Sequence, residues 1–176
     1  YQSSLRRIRK RLETSNTKTA RDKLAGLDAA ILAENESVFR KNVTAWTAEA
    51  RAAVKDKKPE GYVKAYVAYD RIVDAAARLP QSKTATQESA KAQDEMKKIV
   101  DMADDPLTEA EKTLKDGKIS DALAKLDEFN QTWRVIAEDN PDMRKRVNAI
   151  RSDPDVRKYQ REQDATKRVE SGDAAL

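Results

Sequence analysis

Residues 107–136 read LTEAEKTLKDGKISDALAKLDEFNQTWRVI, and this stretch decides the fold. Leu107, Ala110 and Leu114 recur at the three- and four-residue spacing of one helix face. The Asp-Gly-Lys sequence at 116–118 then predicts a turn. The strongest apolar stripe of the chain follows, formed by Ile119, Leu123, Leu126, Phe129, Trp133 and Ile136. The stretch therefore predicts two helices that a tight turn joins into a hairpin.

Apolar residues at the same spacing predict a long helix in the first third of the chain. Its stripe consists of Leu24, Leu27, Ile31, Val38, Trp46, Ala50 and Val54. No Gly or Pro lies between Leu27 and Lys58, and the Lys-Pro-Glu-Gly sequence at 58–61 is expected to stop the helix. A second stripe follows at Tyr62, Tyr66, Tyr69, Val73 and Ala76. This second helix is closed at Pro80, so the region predicts another helix pair.

Prolines mark the remaining helix boundaries. Asp105 before Pro106 offers a capping side chain and a proline at the first helical position, so a helix is expected to start there. Asn140-Pro141 ends one helix, and Asp153-Pro154 starts another. No stretch alternates apolar and polar residues over the length of a strand, so no sheet is predicted.

The two helix pairs also align with each other. Residues 47–58 lie over residues 107–118 and share Glu, Ala, Lys, Asp and Lys at matching places. The sequence thus predicts an all-α fold of stacked antiparallel helical hairpins, either α-solenoid-like or an elongated helical bundle. Residues 1–15 are expected to form a basic N-terminal segment, and residues 16–176 a single helical-repeat domain. Its units are expected at about 16–104, 105–152 and, incompletely, 153–176.

The hairpin at 110–133 resembles a tetratricopeptide-type repeat. Leu114, Gly117, Ala122 and Leu126 occupy positions at which that family places its small and packing residues. The two units are about 60 residues apart rather than the roughly 34 of the family, and the family's Trp-Leu-Gly-Tyr opening is missing. The resemblance implies stacked hairpins that bind peptides or protein partners, and it implies no catalysis.

The composition bears on whether the chain is ordered. Val, Ile, Leu and Phe make up 31 of the 176 residues, which is below the one-fifth at which disorder becomes a concern. Against this, 35 basic residues nearly balance 31 acidic ones, and 27 residues are alanine, the best helix former. Because the apolar positions are also periodic, an ordered helical structure is expected.

The chain contains no His and no Cys, which excludes the commonest zinc sites and the Ser-His-Asp and Cys-His catalytic groups. Its four glycines are isolated, so no phosphate-binding loop is present. Asp101, Asp104 and Asp105 form the densest carboxylate group but lack the alternating ligands and glycine turn of a cation loop. Glu49 and Glu109 are expected to be helix-surface charges. The sequence therefore predicts no catalytic residue, metal site or cofactor, and a protein that is not an enzyme.

Positive charge is concentrated near the start of the chain. The densest cluster consists of Arg6, Arg7, Arg9, Lys10 and Arg11. It can contact phosphates of nucleic acid or of an anionic lipid surface, flank a membrane anchor upstream, or form a packed amphipathic helix end. Residues 1–58 carry 14 basic and 7 acidic side chains, so the positive balance belongs to this third of the chain. No apolar run is long enough to span a bilayer, and a soluble domain is expected.

Tyr62, Tyr66 and Tyr69 line one predicted helix face. They are candidate partner-binding residues, because tyrosine rings can stack on bases, sugars or a proline-rich peptide. Core packing is the alternative, and it is favoured because the matching positions of the second hairpin include Leu123 and Leu126.

These features predict a non-catalytic protein- or peptide-binding module that acts as a scaffold or adaptor. One alternative is a structural helical spacer or oligomerisation rod that is attached to a membrane anchor or another domain, in which the Leu24–Val54 stripe joins two copies of the chain. A second alternative is binding of nucleic acid or an anionic membrane surface through the basic N-terminal segment, and it is less favoured because the rest of the chain carries a net negative charge.

Overall fold

The computed structural model describes residues 7, 8, 10 and 18–173, and between residues 18 and 173 the chain forms six α-helices and one short 3-10 turn. No strand occurs among these residues, so the predicted all-α class is confirmed. The helices are α1 (Lys18–Ala53), α2 (Pro59–Ala77), α3 (Lys83–Lys115), α4 (Ile119–Asp139), α5 (Pro141–Ser152) and α6 (Pro154–Asp173), and the 3-10 turn is Val54–Asp56.

Neighbouring helices pack side by side. The most extensive contacts join α1 to α2, α2 to α3 and α3 to α4, and the short connections between them turn the chain back on itself each time. The fourth helix also contacts α2, so α2, α3 and α4 form a three-helix unit. The shorter α5 packs against α3 and α4, and α6 packs against α5 and α4. The result is a stack of antiparallel hairpins with α3 and α4 at its centre.

Side-chain caps fix where the later helices begin. Ser82 is 1% exposed and its hydroxyl oxygen accepts a hydrogen bond from Ala85 N at the start of α3. Asn140 Oδ1 accepts from Met143 N at the start of α5, and Asp153 Oδ1 accepts from Asp155 N at the start of α6. The helix boundaries predicted at Asn140-Pro141 and Asp153-Pro154 are therefore confirmed.

The core is unusually rich in alanine. Its larger members are Phe39, Ile72, Ile99, Leu107, Leu126, Phe129, Trp133 and Ile136. Seven alanines have no exposed surface, namely Ala50, Ala65, Ala68, Ala85, Ala103, Ala110 and Ala122. Because a methyl group occupies so little space, these positions let the helix backbones approach closely. Close packing of the helices at these alanines compensates for the small number of large aliphatic side chains.

The helix expected to begin at Pro106 does not begin there. Pro106 lies inside the single helix α3, and so does the expected unit boundary between residues 104 and 105. Pro106 removes the N–H that would bond to the carbonyl of Met102, whose side chain is 44% exposed. Ala103 and Leu107 are both completely buried, so core packing on either side holds the helix continuous.

The apolar stripe of α1 also differs from the prediction. Val38 is 55% exposed, whereas Phe39 and Val43 are buried. The predicted stripe advances in seven-residue steps from Leu24 to Val38, and each step rotates the contact line by about 20° on a straight helix. Two steps place Val38 about 40° from the line that starts at Leu24. The buried face instead follows Phe39, Val43 and Ala50, which are four and seven residues apart. The predicted stop at 58–61 is likewise displaced, because α1 ends at Ala53 and Pro59 starts α2.

Candidate functional site: a groove over α4

An open groove of about 1070 Å³ lies among the described residues. Helix α4 forms its floor, and α2 and α5 form its two walls. The main contributors are Glu60, Val63 and Lys64 from α2, Asp127, Asn130, Arg134, Val135 and Glu138 from α4, and Arg144, Val147, Asn148 and Arg151 from α5. The groove is therefore built entirely from the sides of three helices.

An aromatic contact holds the α2 wall in place. The rings of Tyr62 and Trp133 are stacked, with centroids 6.5 Å apart and an interplanar angle of 18°. Tyr62 directly precedes the groove residues Val63 and Lys64 in the chain. The stack therefore ties the first turns of α2 to the middle of α4, beside the groove floor.

An arginine network holds the α5 wall in place. Arg146 Nε donates to Glu111 Oε1 at 2.8 Å, Nη2 donates to Thr108 Oγ1 at 2.7 Å, and Nη1 donates to Asp104. Its side chain is only 29% exposed, and these carboxylates raise the pKa of the Arg146 guanidinium, chiefly through the hydrogen bond to Glu111. The network docks α5 on α3 and leaves the opposite face of α5 turned toward the groove.

The groove floor contains an unsatisfied donor. Asn130 Nδ2 is buried and has no hydrogen-bond partner, and it is the one such side-chain atom among the described residues. Leaving a buried polar group unpaired costs about 1–3 kcal/mol. Because this atom has almost no accessible surface, a ligand in the groove cannot reach it unless the Asn130 side chain rearranges. Val135, which is 42% exposed, adds an apolar contact surface nearby.

Charges of both signs surround the groove, and only some of them are compensated. Arg134 Nε donates to Glu138 Oε1 at 2.7 Å, so these two side chains neutralise each other. Arg144 Nη1 donates to the backbone carbonyl oxygen of Glu138 at 3.3 Å. The described residues provide no hydrogen-bonding or ionic side-chain partner for Arg151, Lys64, Glu60 or Asp127. These four groups and the remaining N–H groups of Arg144 are open to a partner.

The three candidate tyrosines pack in or against the core, and none of them lines the groove. Tyr66 is 7% exposed, and burial raises the pKa of its hydroxyl, with Asp139 and Asp70 adding to the effect. Tyr69 packs against the apolar core, and burial raises the pKa of its hydroxyl too. Together with the stacking of Tyr62, this placement agrees with the core-packing interpretation of the three residues.

Most of the candidate basic cluster lies outside the described residues. This applies to Arg6, Arg9 and Arg11. Arg7 and Lys10 are helical and exposed. Contact of these five residues with an anionic surface stays a prediction.

The carboxylates singled out from the sequence make ion pairs between helices. Asp104 contacts Arg146, as described above, and Asp105 lies inside α3 and caps no helix. Glu49 pairs with Arg71 across α1 and α2 at 3.1 Å. Glu109 pairs with Lys125 across α3 and α4 at 2.8 Å, and that hydrogen bond lowers the pKa of the Glu109 carboxyl. No group of three or more potential metal ligands occurs among the described residues.

The sequence pattern did not identify the groove. Its lining comes from three separate segments whose exposed faces meet only after the helices have packed. Asn130 was the one available signal, because it lies next to the buried Phe129 on a helix that is otherwise apolar on that side. None of the helices in the described part of the chain is long and apolar enough to cross a membrane. Comparisons with protein-family models, with curated proteins and with solved structures found no match to the chain.

Proposed function

We propose that this protein is a non-catalytic binding module that accepts a helical segment of a partner protein in the groove over α4 and acts as a scaffold or adaptor. The observation that carries the proposal is the groove itself, with the exposed Val135 and unpaired charged side chains between two helical walls. A partner segment that fills the groove would cover Val135 and could pair with these charges.

The shape of the groove favours a helix as its occupant. Two helices lying beside a third leave a channel into which another helix can pack, with side chains entering the spaces between those of the floor. At about 1070 Å³ the groove is slightly larger than the 300–1,000 Å³ typical of small-molecule sites, and it is open to solvent. These properties suit a macromolecular segment better than an enclosed metabolite.

The groove side chains support binding rather than chemistry. The groove is lined by Arg, Lys, Asn, Gln and carboxylates together with Val and Ala. Since the chain contains no His or Cys, it lacks the usual acid–base and nucleophilic groups. Among the charged groove residues, Arg134 donates a hydrogen bond to Glu138, and this pair provides no activated nucleophile. The resemblance of residues 110–133 to a tetratricopeptide-type hairpin points toward peptide binding as well.

Site-specific photocrosslinking tests the proposal. A benzophenone amino acid is placed at Val135 in the groove and, as the control, at Met102, which is 44% exposed on α3 and does not line the groove. We expect a discrete crosslink to a partner from position 135 alone. The crosslinked partner segment, made as a peptide, should bind the parental chain and Met102→Arg but lose binding to Val135→Arg. Equal crosslinking from both positions would contradict the proposal.

The spacer alternative draws support from the first half of α1. This helix has 36 residues and is about 54 Å long, against about 28 Å for the 19 residues of α2. Trp46, Ala50 and Val54 pack into the core of the same molecule, which leaves Leu24, Leu27, Ile31 and the exposed Val38 of the stripe for a second copy. Sedimentation of Leu27→Glu against the exposed control Ala29→Glu tests it, because only the first should abolish a dimer.

A further inference from the structure

We infer that the partner segment is an amphipathic helix whose carboxylate side chains face α5. This inference rests on the proposed function, since it names the chemistry of the segment that the groove accepts. It is carried by the arrangement of charge on the α5 wall.

Three polar side chains form a row along that wall. Arg144, Asn148 and Arg151 are four and three residues apart, so they lie on the same face of α5, and all three line the groove. They are exposed, whereas Val147 beside them is 7% exposed and packs against the core. No acidic residue of α5 lines the groove, so this wall presents only positive charge.

The remaining groove charges leave this row uncompensated. Arg134 on the floor is already paired with Glu138 at 2.7 Å. Arg144 uses one N–H group on a backbone carbonyl, and Arg151 has no partner among the described residues. A guanidinium group presents its N–H donors as a planar fork that fits the two oxygens of a carboxylate. The guanidinium groups of Arg144 and Arg151 are seven residues apart, so each can pair with a carboxylate on one face of a helix that lies alongside α5.

The rest of the groove defines the other faces of the segment. Val63 and Val135 provide apolar contacts, which suit a narrow stripe of Ala, Val or Leu. Glu60 and Asp127 place two uncompensated carboxylates in the same groove. These acids disfavour the denser charge of a nucleic-acid phosphate chain, whereas a helix can turn a neutral or basic side chain toward them.

Two synthetic peptides of about 20 residues test the inference, since isolated helices shorter than about 12–15 residues are only marginally stable in water. They share one apolar stripe and differ only in carrying Glu or Gln along one flank. Fluorescence anisotropy at low salt measures their binding to the full chain. We expect the Glu peptide to bind about tenfold more tightly than the Gln peptide. Arg144→Glu and Arg151→Glu should each lower its affinity about tenfold, while Arg157→Glu on α6, outside the groove, should not.

Each result either supports or overturns the inference. Equal binding of the two peptides, both lost with Val135→Arg, would overturn the carboxylate assignment and leave the groove as the binding site. Failure of both peptides to bind, while the photocrosslink from position 135 forms, would likewise overturn only the assignment. A single-stranded oligonucleotide that binds the α5 row and displaces the Glu peptide would assign the row to nucleic acid instead. Equal crosslinking from positions 135 and 102 would overturn the proposed function itself.

Discussion

At the scale of single residues, Gly61 allows the close approach between the end of α1 and the start of α2. A Cβ atom at this position would lie 2.2 Å from the carbonyl oxygen of Ala53. We therefore expect Gly61→Ala to force the two helices apart and to lower the free energy of unfolding by about 1–3 kcal/mol. Urea denaturation followed by circular dichroism measures this change.

Gly26 provides the matched control for Gly61. A Cβ atom there would meet nothing within 4 Å, and the residue lies inside α1. Gly26→Ala should therefore raise the free energy of unfolding by about 0.5–1 kcal/mol, because alanine is the better helix residue. If Gly61→Ala is as well tolerated as Gly26→Ala, the close contact with Ala53 is not a constraint on the fold.

Asp70 gives the stability an unusual dependence on pH. Partial burial raises the pKa of this carboxyl above its ordinary value of 3.8, and the nearby Asp74 and Asp139 raise it further. The folded protein thus binds the proton more tightly than the unfolded chain does, so this group's contribution to stability falls as pH rises through the folded pKa. We expect Asp70→Asn to raise the urea midpoint at pH 7, by an amount that shrinks as pH falls toward about 4.

The exposed Asp101 on α3 supplies the comparison for that measurement. Asp101→Asn removes one negative charge elsewhere and should leave the midpoint at pH 7 nearly unchanged. A lower midpoint for Asp70→Asn at pH 7 would mean that the Asp70 carboxylate is stabilising, contrary to this account.

At the scale of helices, Pro106 is the least favourable residue in α3. It removes a backbone hydrogen bond in the interior of a helix of 33 residues. We expect Pro106→Ala to raise the free energy of unfolding by about 1–3 kcal/mol, since alanine restores the N–H and fits the helix. Thermal and urea denaturation measure the gain.

Pro154 serves as the control for Pro106, because it occupies the first position of α6, where a proline is well tolerated. Pro154→Ala should lower the free energy of unfolding by about 0.4–1 kcal/mol, because alanine leaves the unfolded chain more conformational freedom. Destabilisation by Pro106→Ala would show that α3 needs the local geometry of the proline.

Helix boundaries were predictable where a local signal agreed with the packing. The turn at 116–118 follows from Gly117, whose φ of +78° favours glycine, and Asn140 and Asp153 cap the helices that follow them. Pro106 misled the prediction because core contacts at Ala103 and Leu107 override the local preference, and these contacts come from other helices. The groove escaped prediction for the same reason, since helical periodicity identifies faces but not which faces will be neighbours.

At the scale of the whole molecule, charge is distributed unevenly along the chain. Removing residues 1–11 takes away five basic residues and no acidic one, which changes the net charge from +4 to −1. We expect the full chain to be retained on heparin and the shortened chain to elute much earlier, because clustered cations dominate binding to a polyanion. Salt-gradient elution measures the difference.

A charge-matched variant separates the effect of clustering from that of net charge. Gln replaces five exposed cations distributed over α3 and α6, namely Lys97, Arg157, Lys158, Arg161 and Lys167. This variant also has a net charge of −1 but keeps the N-terminal cluster, so it should elute later than the shortened chain. Identical elution of the two would show that the cluster has no special role.

The seven fully buried alanines affect how the stability of the protein depends on temperature. A buried methyl group such as that of Ala50 or Ala110 withholds far less hydrocarbon from water than a leucine in the same place. The heat-capacity increase on unfolding should therefore be smaller than the roughly 12–15 cal/mol/K per residue that is usual for domains. A smaller heat-capacity change flattens the curve of unfolding free energy against temperature. Cooling or moderate warming should therefore change the fraction of folded chains only gradually.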